Sequence, residues 1–498
     1  MTKFKHILLL FAVLALCSLS VSARSTAARM PNLFNNVDMA AMNRWVDSVY
    51  NSLSPDARIG QLIIAAVSPV DNEPTRNLVR QYVTQNMVGG LIYEKSTMAE
   101  QAAVTNLAQS LASVPLMITI DGEWGLGMRL KDVPNFQRNL ILGAVDDDML
   151  LYEFGREVAR QCRCMGIQVN LAPVLDVNDN PLNPVIGDRS FGESPELVAR
   201  HAIAFARGLE DGGVMAVGKH FPGHGNSSED SHKTLPVIKK KMQELNTCEL
   251  VPFRRFIDAG LSGILTAHLL VPAIDGGKAP TSLSSDCVND VLREQLNFEG
   301  LIFTDGLAMK GATQMLKGSP CVNALLAGND VLLMPEHVGS EIAAIKDAIS
   351  RGTLSQSLIE ERCKKILRYK YALGLTTPQH VNTSNLAGQV NSQRATALKR
   401  QLTAGSITVI KNNDNILPIH NLQSRRIAVA TIGNEQGTAS KFTRRCADYA
   451  EVKRFDLSKS GTASALAEQL HDGHFNTIIV EMGRLPPAAL PPKMVCAA

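Results

Sequence analysis

From residue 59 to 375 the chain repeats one unit: a short apolar run, a polar turn, then apolar positions at helical spacing. The runs predict strands at 59–67, 88–93, 116–120, 168–174, 214–218, 263–266, 301–304 and 331–333. The periodic stretches predict helices at 74–84, 98–111, 149–165, 195–209, 341–350 and 358–371. The strand runs are apolar throughout rather than alternating, as expected when a parallel sheet is buried on both faces. Eight such strands alternating with helices predict an α/β fold of the (β/α)8 TIM-barrel type rather than an open sheet. No glycine-rich phosphate fingerprint follows the first run, which argues against a dinucleotide fold.

The flanks read differently. Lys3 and Lys5 precede the apolar run 7–16, and Val21-Ser22-Ala23 offers a small-residue cleavage site, so residues 1–23 are expected to be a signal peptide. That run is too short to span a bilayer, and no other span stands out. Export to the periplasm or the outside is therefore expected, with a lipid anchor on Cys17 disfavoured by the bulky Leu16 before it. The barrel is expected to occupy 24–375, a polar linker 376–400, and a small, incomplete α/β domain 401–498. Within the last, 406–410, 427–431 and 477–480 are apolar runs, and 463–470 is helical in pattern.

Composition adds little and excludes something. Fifty basic residues stand against 47 acidic ones in 498, which gives no reason to expect nucleic acid or a membrane surface as partner. The cysteines are scattered without metal-ligand spacing, so no metal and no cofactor is expected.

Catalytic groups in such barrels sit where strands end and the following loops begin. Those positions hold Asp121 and Glu123, Asp176, Lys219 and His220, His268, and Asp305. Any one of them alone reads more readily as structural, but five strand ends together do not. Two motifs stand out. Lys219 to Gly225, followed by Asp230-Ser231-His232, gathers titratable groups on a stretch broken by Pro222, Gly223 and Gly225. Asp230 and His232, two apart in an extended segment, point to one side, so the carboxylate can orient the imidazole for general acid/base work. The plainer reading is a solvated surface loop. Asp305, directly after a buried run and before Gly306, suits a nucleophile, a ligand or a sugar-hydroxyl acceptor, or a helix N-cap.

These residues resemble a family. Lys219 to Gly225 with Asp230-Ser231-His232 looks like the signature loop of the β-N-acetylglucosaminidases of glycoside hydrolase family 3. Asp121-Gly122-Glu123 through Arg129 is similar to that family's D-x-E-G-G-x-V-x-R segment. The stretches 172–177, 186–192 and 304–309 are similar to further blocks, in the right order over about residues 45 to 375. The resemblance implies a retaining exo-β-N-acetylglucosaminidase acting on peptidoglycan fragments or chitin-type oligosaccharides. It implies Asp305 as nucleophile and His232, polarised by Asp230, as acid/base. It also implies Asp121, Arg129, Arg189, Lys219 and His220 as holders of the sugar hydroxyls. Trp124, Gly127 and Gly306 depart from the family pattern.

Three rivals follow from the same residues. A β-glucosidase-like member would draw its acid from a second domain, which is short here. A histidine acid/base also tolerates phosphate as acceptor, which would make a phosphorylase. A metal-dependent barrel hydrolase would use His220, His224, His268 and Asp305, although the H-x-H expected at the first strand is missing.

Overall fold

The computed structural model describes residues 31–229, 234–313, 315, 317–432, 440–457 and 462–482. The expected signal peptide, Asp230 and His232 lie outside them. Eight strands follow in chain order: β1 (Ile63–Val67), β2 (Gly90–Tyr93), β3 (Met117–Ile120), β4 (Val169–Asn170), β5 (Met215–Phe221), β6 (Gly263–Thr266), β7 (Leu301–Thr304) and β8 (Leu332–Leu333). Each pairs in parallel with its neighbours, β1 meets both β2 and β8, and a bridge from Phe303 to Val331 closes the ring. This is the (β/α)8 barrel the apolar runs predict. The strand residues are buried on both faces, apart from the half-buried Ala66, and the barrel interior and its helices form one continuous apolar core.

Local chemistry sets most boundaries. Thr97 and Glu100 form a capping box that starts helix Met98–Leu111, and Pro195 at the first turn starts Pro195–Asp211. Residues 59–62 do not join the first strand. Ser54 caps a short helix, Pro55–Gly60, whose first residue is proline, and this helix takes Ile59. β5 runs on through Lys219 and His220, which are therefore strand residues rather than loop residues, and its register with β6 shifts between Lys219 and Phe221. Beneath the barrel, buried Asp330 takes Arg293, Arg362 and Lys365, tying β8 to two helices.

The expected linker is a further correction. Residues 376–400 include helix Leu386–Val390 and most of helix Gln393–Gly405, and Ala395, Leu398 and Leu402 bury the stripe expected of an amphipathic helix. The first compact unit accordingly extends to Ile407, and the second begins at Thr408. Residues 406–410 form no strand, and Ile407 and Ile410 are exposed. The second unit is a three-stranded parallel sheet of β9 (Arg426–Ile432), β10 (Glu451–Asp456) and β11 (Thr477–Met482), with β9 in the centre and helix Thr462–His471. β10 carries four charged residues among its six and has no apolar run to betray it. Among the described residues the seven cysteines are free thiols, and no helix is long and apolar enough to cross a membrane.

Candidate active site

Asp305 leaves β7 at the barrel mouth. Its N–H donates to Thr266 O at the end of β6 (2.9 Å), and its Oδ1 accepts from Gly306 N (2.8 Å), so two strands fix the carboxylate. It lines a cavity of about 310 Å³ together with Asp121, Glu123, Trp124, Arg129, Arg189, Lys219, His220 and His224. Five of those residues form a chain of alternating charge. Arg129 binds Asp121 Oδ2, and Lys219 Nζ bridges Asp121 (2.8 Å) and Glu123 (2.9 Å). Arg189 grips Glu123 through two nitrogens, at 2.7 and 3.0 Å. Three cations meet two carboxylates, which leaves one positive charge over. Asp305 supplies the missing negative charge.

Burial opposes ionisation of these carboxylates, and the cations overcome it. Lys219 and Arg129 hold Asp121 well below the usual carboxylate range, and Arg189 and Lys219 bring Glu123 down to about 2. Burial would lower Lys219, but Asp121 and Glu123 raise it, so it stays charged. Asp305 is also lowered: burial works against ionisation, but His268, His220, the Gly306 N–H and Lys219 outweigh it. His268 is itself pushed down by burial.

His220 is held from behind. Its Nδ1 lies 2.6 Å from Asp176 Oδ2, and its Nε2 lies 3.2 Å from Arg189 Nη2. A guanidinium has only donors, so Nε2 must accept and the ring proton sits on Nδ1, facing Asp176. Asp176 Oδ1 also accepts the backbone N–H groups of His220 (3.2 Å) and His224 (2.7 Å). His224 is buried beside them, and burial pushes it down to about 4, so it is neutral at pH 7.

The structure thus brings Asp305, Asp121, Arg129, Arg189, Lys219 and His220 into one cavity, while Asp230 and His232 lie outside the described residues. Glu123 and Asp176, strand-end positions to which the resemblance gives no role, each hold a neighbour in place. Trp124 lines the cavity and carries the Arg138 guanidinium over its ring at 3.6 Å. His268 donates from Nε2 to Gly306 O (3.0 Å) and accepts at Nδ1 from Ser282 (2.6 Å), so both ring nitrogens are engaged. Among the described residues, the four groups named for a metal site do not bring their donor atoms together.

A carboxylate kept ionised in a cation-rich cavity at the C-terminal mouth of a barrel is what a glycoside hydrolase needs for its nucleophile. Residues 54–369 match the N-terminal domain of glycosyl hydrolase family 3, and the chain belongs to that family. It is 27% identical over 401 residues to the beta-N-acetylglucosaminidase/beta-glucosidase of Cellulomonas fimi, covering 78% of this chain and 70% of that protein. It is 38% identical over 245 residues to a beta-hexosaminidase of Nitrosomonas eutropha, covering 47% of this chain and 69% of that one. The structure of a family 3 beta-N-acetylglucosaminidase from Paenibacillus sp. str. FPU-7 superposes with a TM-score of 0.70 at 30% identity, over 86% of this chain and 84% of that chain.

Proposed function

We propose that the protein is a retaining exo-β-N-acetylglucosaminidase. The observation that carries this reading is Asp305, held below the usual carboxylate range in a cavity it shares with Lys219, Arg129 and Arg189, at the small end of the usual ligand range of about 300–1,000 Å³. Such a space suits one sugar ring, and the relatives named above are called beta-N-acetylglucosaminidase or beta-hexosaminidase.

In the first step an Asp305 oxygen attacks the anomeric carbon. The bond to the leaving oxygen breaks, and that oxygen takes a proton from His232, which Asp230 orients. In the second step His232 removes a proton from water, the water oxygen attacks the same carbon, and the bond to Asp305 breaks. Two inversions return the original configuration. Asp121, Arg129, Arg189, Lys219 and His220 hold the hydroxyls, and their fixed charges are in place before the oxocarbenium-like charge develops. The leader-like N-terminus supports action outside the cytoplasm, on wall-derived muropeptides or chitooligosaccharides.

The test is turnover of an aryl β-N-acetylglucosaminide with a slow 2-fluoro glycoside as trap. Hydrolysis with retention, and a glycosyl adduct on the peptide holding Asp305, are expected. An adduct elsewhere, or none, overturns the reading. The double name of the Cellulomonas relative favours one second reading, activity on β-glucosides. An aryl glucoside turned over faster than the aryl N-acetylglucosaminide would establish it instead.

A further inference from the structure

The loop after β5 begins at Pro222 and leads towards Asp230 and His232. Its residues 224–228 are bonded to the loop after β4 by two asparagine side chains. Asn183 Nδ2 donates to His224 O (2.8 Å) and Gly225 O (2.9 Å). Asn180 Nδ2 donates to Asn226 O (3.3 Å), Ser227 O (3.2 Å) and Ser228 Oγ (3.1 Å). Both amides also cap their own turns through Oδ1. Asn180 accepts from Leu182 N (3.0 Å), and Asn183 accepts from Val185 N and Ile186 N (2.8 Å each). Carbonyls on one side and N–H groups on the other fix which way each amide faces. The backbones themselves approach closely here: a side chain on Gly225 would meet Val177 O at 1.8 Å.

We propose that Asn183 and Asn180 are positioning residues for proton transfer. Neither lines the cavity that holds Asp305. Each ties the loop after β4, anchored by Asp176, to residues 224–228, the stem from which the acid/base segment departs. An amide suits the place, because its oxygen caps its own turn while the two hydrogens of its NH2 group clasp the neighbouring loop. This inference rests on the assignment of His232 as the acid. Misplacing a catalytic group by about 1 Å can cost a factor of about 100.

The near-isosteric variants Asn183→Asp and Asn180→Asp keep the capping oxygen and remove the donated hydrogens. Each is assayed on a dinitrophenyl N-acetylglucosaminide, whose leaving group needs no proton, and on an alkyl one, which does. Asn183→Asp is expected to lower kcat/KM, which reports the first step, on the alkyl substrate by about 10- to 100-fold while leaving kcat/KM on the dinitrophenyl substrate within about 3-fold. Partly exposed Asn180→Asp, whose folding is less at stake, should show the same asymmetry to a smaller degree. Equal losses on both substrates, or no loss on either, overturn the proposal. His232→Ala is measured alongside. If it shows the asymmetry and the asparagine variants do not, positioning fails and the acid assignment stands; if it shows none, the acid assignment fails and the proposal falls with it.

Discussion

Asp176 Oδ2 lies 2.6 Å from His220 Nδ1, and the same carboxylate accepts the backbone N–H groups of His220 and His224. One buried side chain from the loop after β4 therefore sets both the tautomer of a cavity histidine and the path of the chain as it leaves β5. Arg189, donating to His220 Nε2, completes the fix from the cavity side.

Removing that carboxylate leaves an imidazole N–H and two backbone N–H groups without a partner. Each costs about 1–3 kcal/mol when buried, so Asp176→Ala should lose several kcal/mol of stability, read from the denaturant midpoint. Asp176→Asn, which keeps one acceptor oxygen, should lose less. Asp176 is held below the ordinary carboxylate range: burial opposes its ionisation, but His220 and the His224 N–H outweigh it. Its stabilisation is therefore present above the unfolded carboxylate pKa and lost as pH falls through the folded one. In Asp176→Asn that part of the acid sensitivity should be gone.

Asp305→Ala should abolish turnover of every glycoside while leaving the melting temperature close to that of the parent. In the proposed mechanism the carboxylate must be ionised to attack, and its neighbours lower its pKa. The acid limb of kcat/KM should accordingly lie below the usual carboxylate range. Lys219→Met removes a cation that faces it and should move that limb upward. A limb that stays in place would show that Asp305 does not govern it.

Glu123 is fully buried and neutralises Arg189 and Lys219. Breaking a buried ion pair by removing one partner costs about 3–5 kcal/mol, because the remaining charge is stranded. Glu123→Ala should lose stability on that scale. It should also raise KM, since both cations point into the cavity it anchors. Calorimetry and steady-state kinetics on the same preparation check both.

Lys370 is buried far from this chemistry, its ammonium bonded to Gln61 Oε1 at 2.7 Å, and burial pushes it down to about 7. Unfolded, it would titrate near the usual lysine value of about 10.4. The cost of burying it is complete below pH 7 and is relieved as pH rises toward that value. Lys370→Met should therefore gain on the parent most at about pH 6.5 and least at about pH 9.5, by urea unfolding at each. Glu210, raised by burial to about 8, changes with pH in the opposite sense in both proteins and cancels in the comparison.

The apolar runs at 263–266 and 301–304 are β6 and β7 to the residue, because a strand buried on both faces writes its whole length in hydrophobic letters. β10 escaped notice for the opposite reason. Glu451, Lys453 and Arg454 occupy an edge strand whose side chains reach solvent, so propensity and pattern say little. The expected linker at 376–400 failed because its polar surface hid a stripe of three buried residues in helix Gln393–Gly405.

The sequence by itself determined the barrel, and through the strand-end rule it placed Asp121, Glu123, Asp176, Lys219, His220 and Asp305 on one face. These follow from hydrophobic periodicity and chain order, which are local properties. Tertiary structure alone decided that Lys219 bridges Asp121 and Glu123, that Asp176 belongs to His220, and that Asn180 and Asn183 clasp the next loop. Those partners are separated by dozens of residues along the chain. Which donor meets which acceptor is set by the stagger of neighbouring strands and the paths of their loops, and no local pattern records that distance.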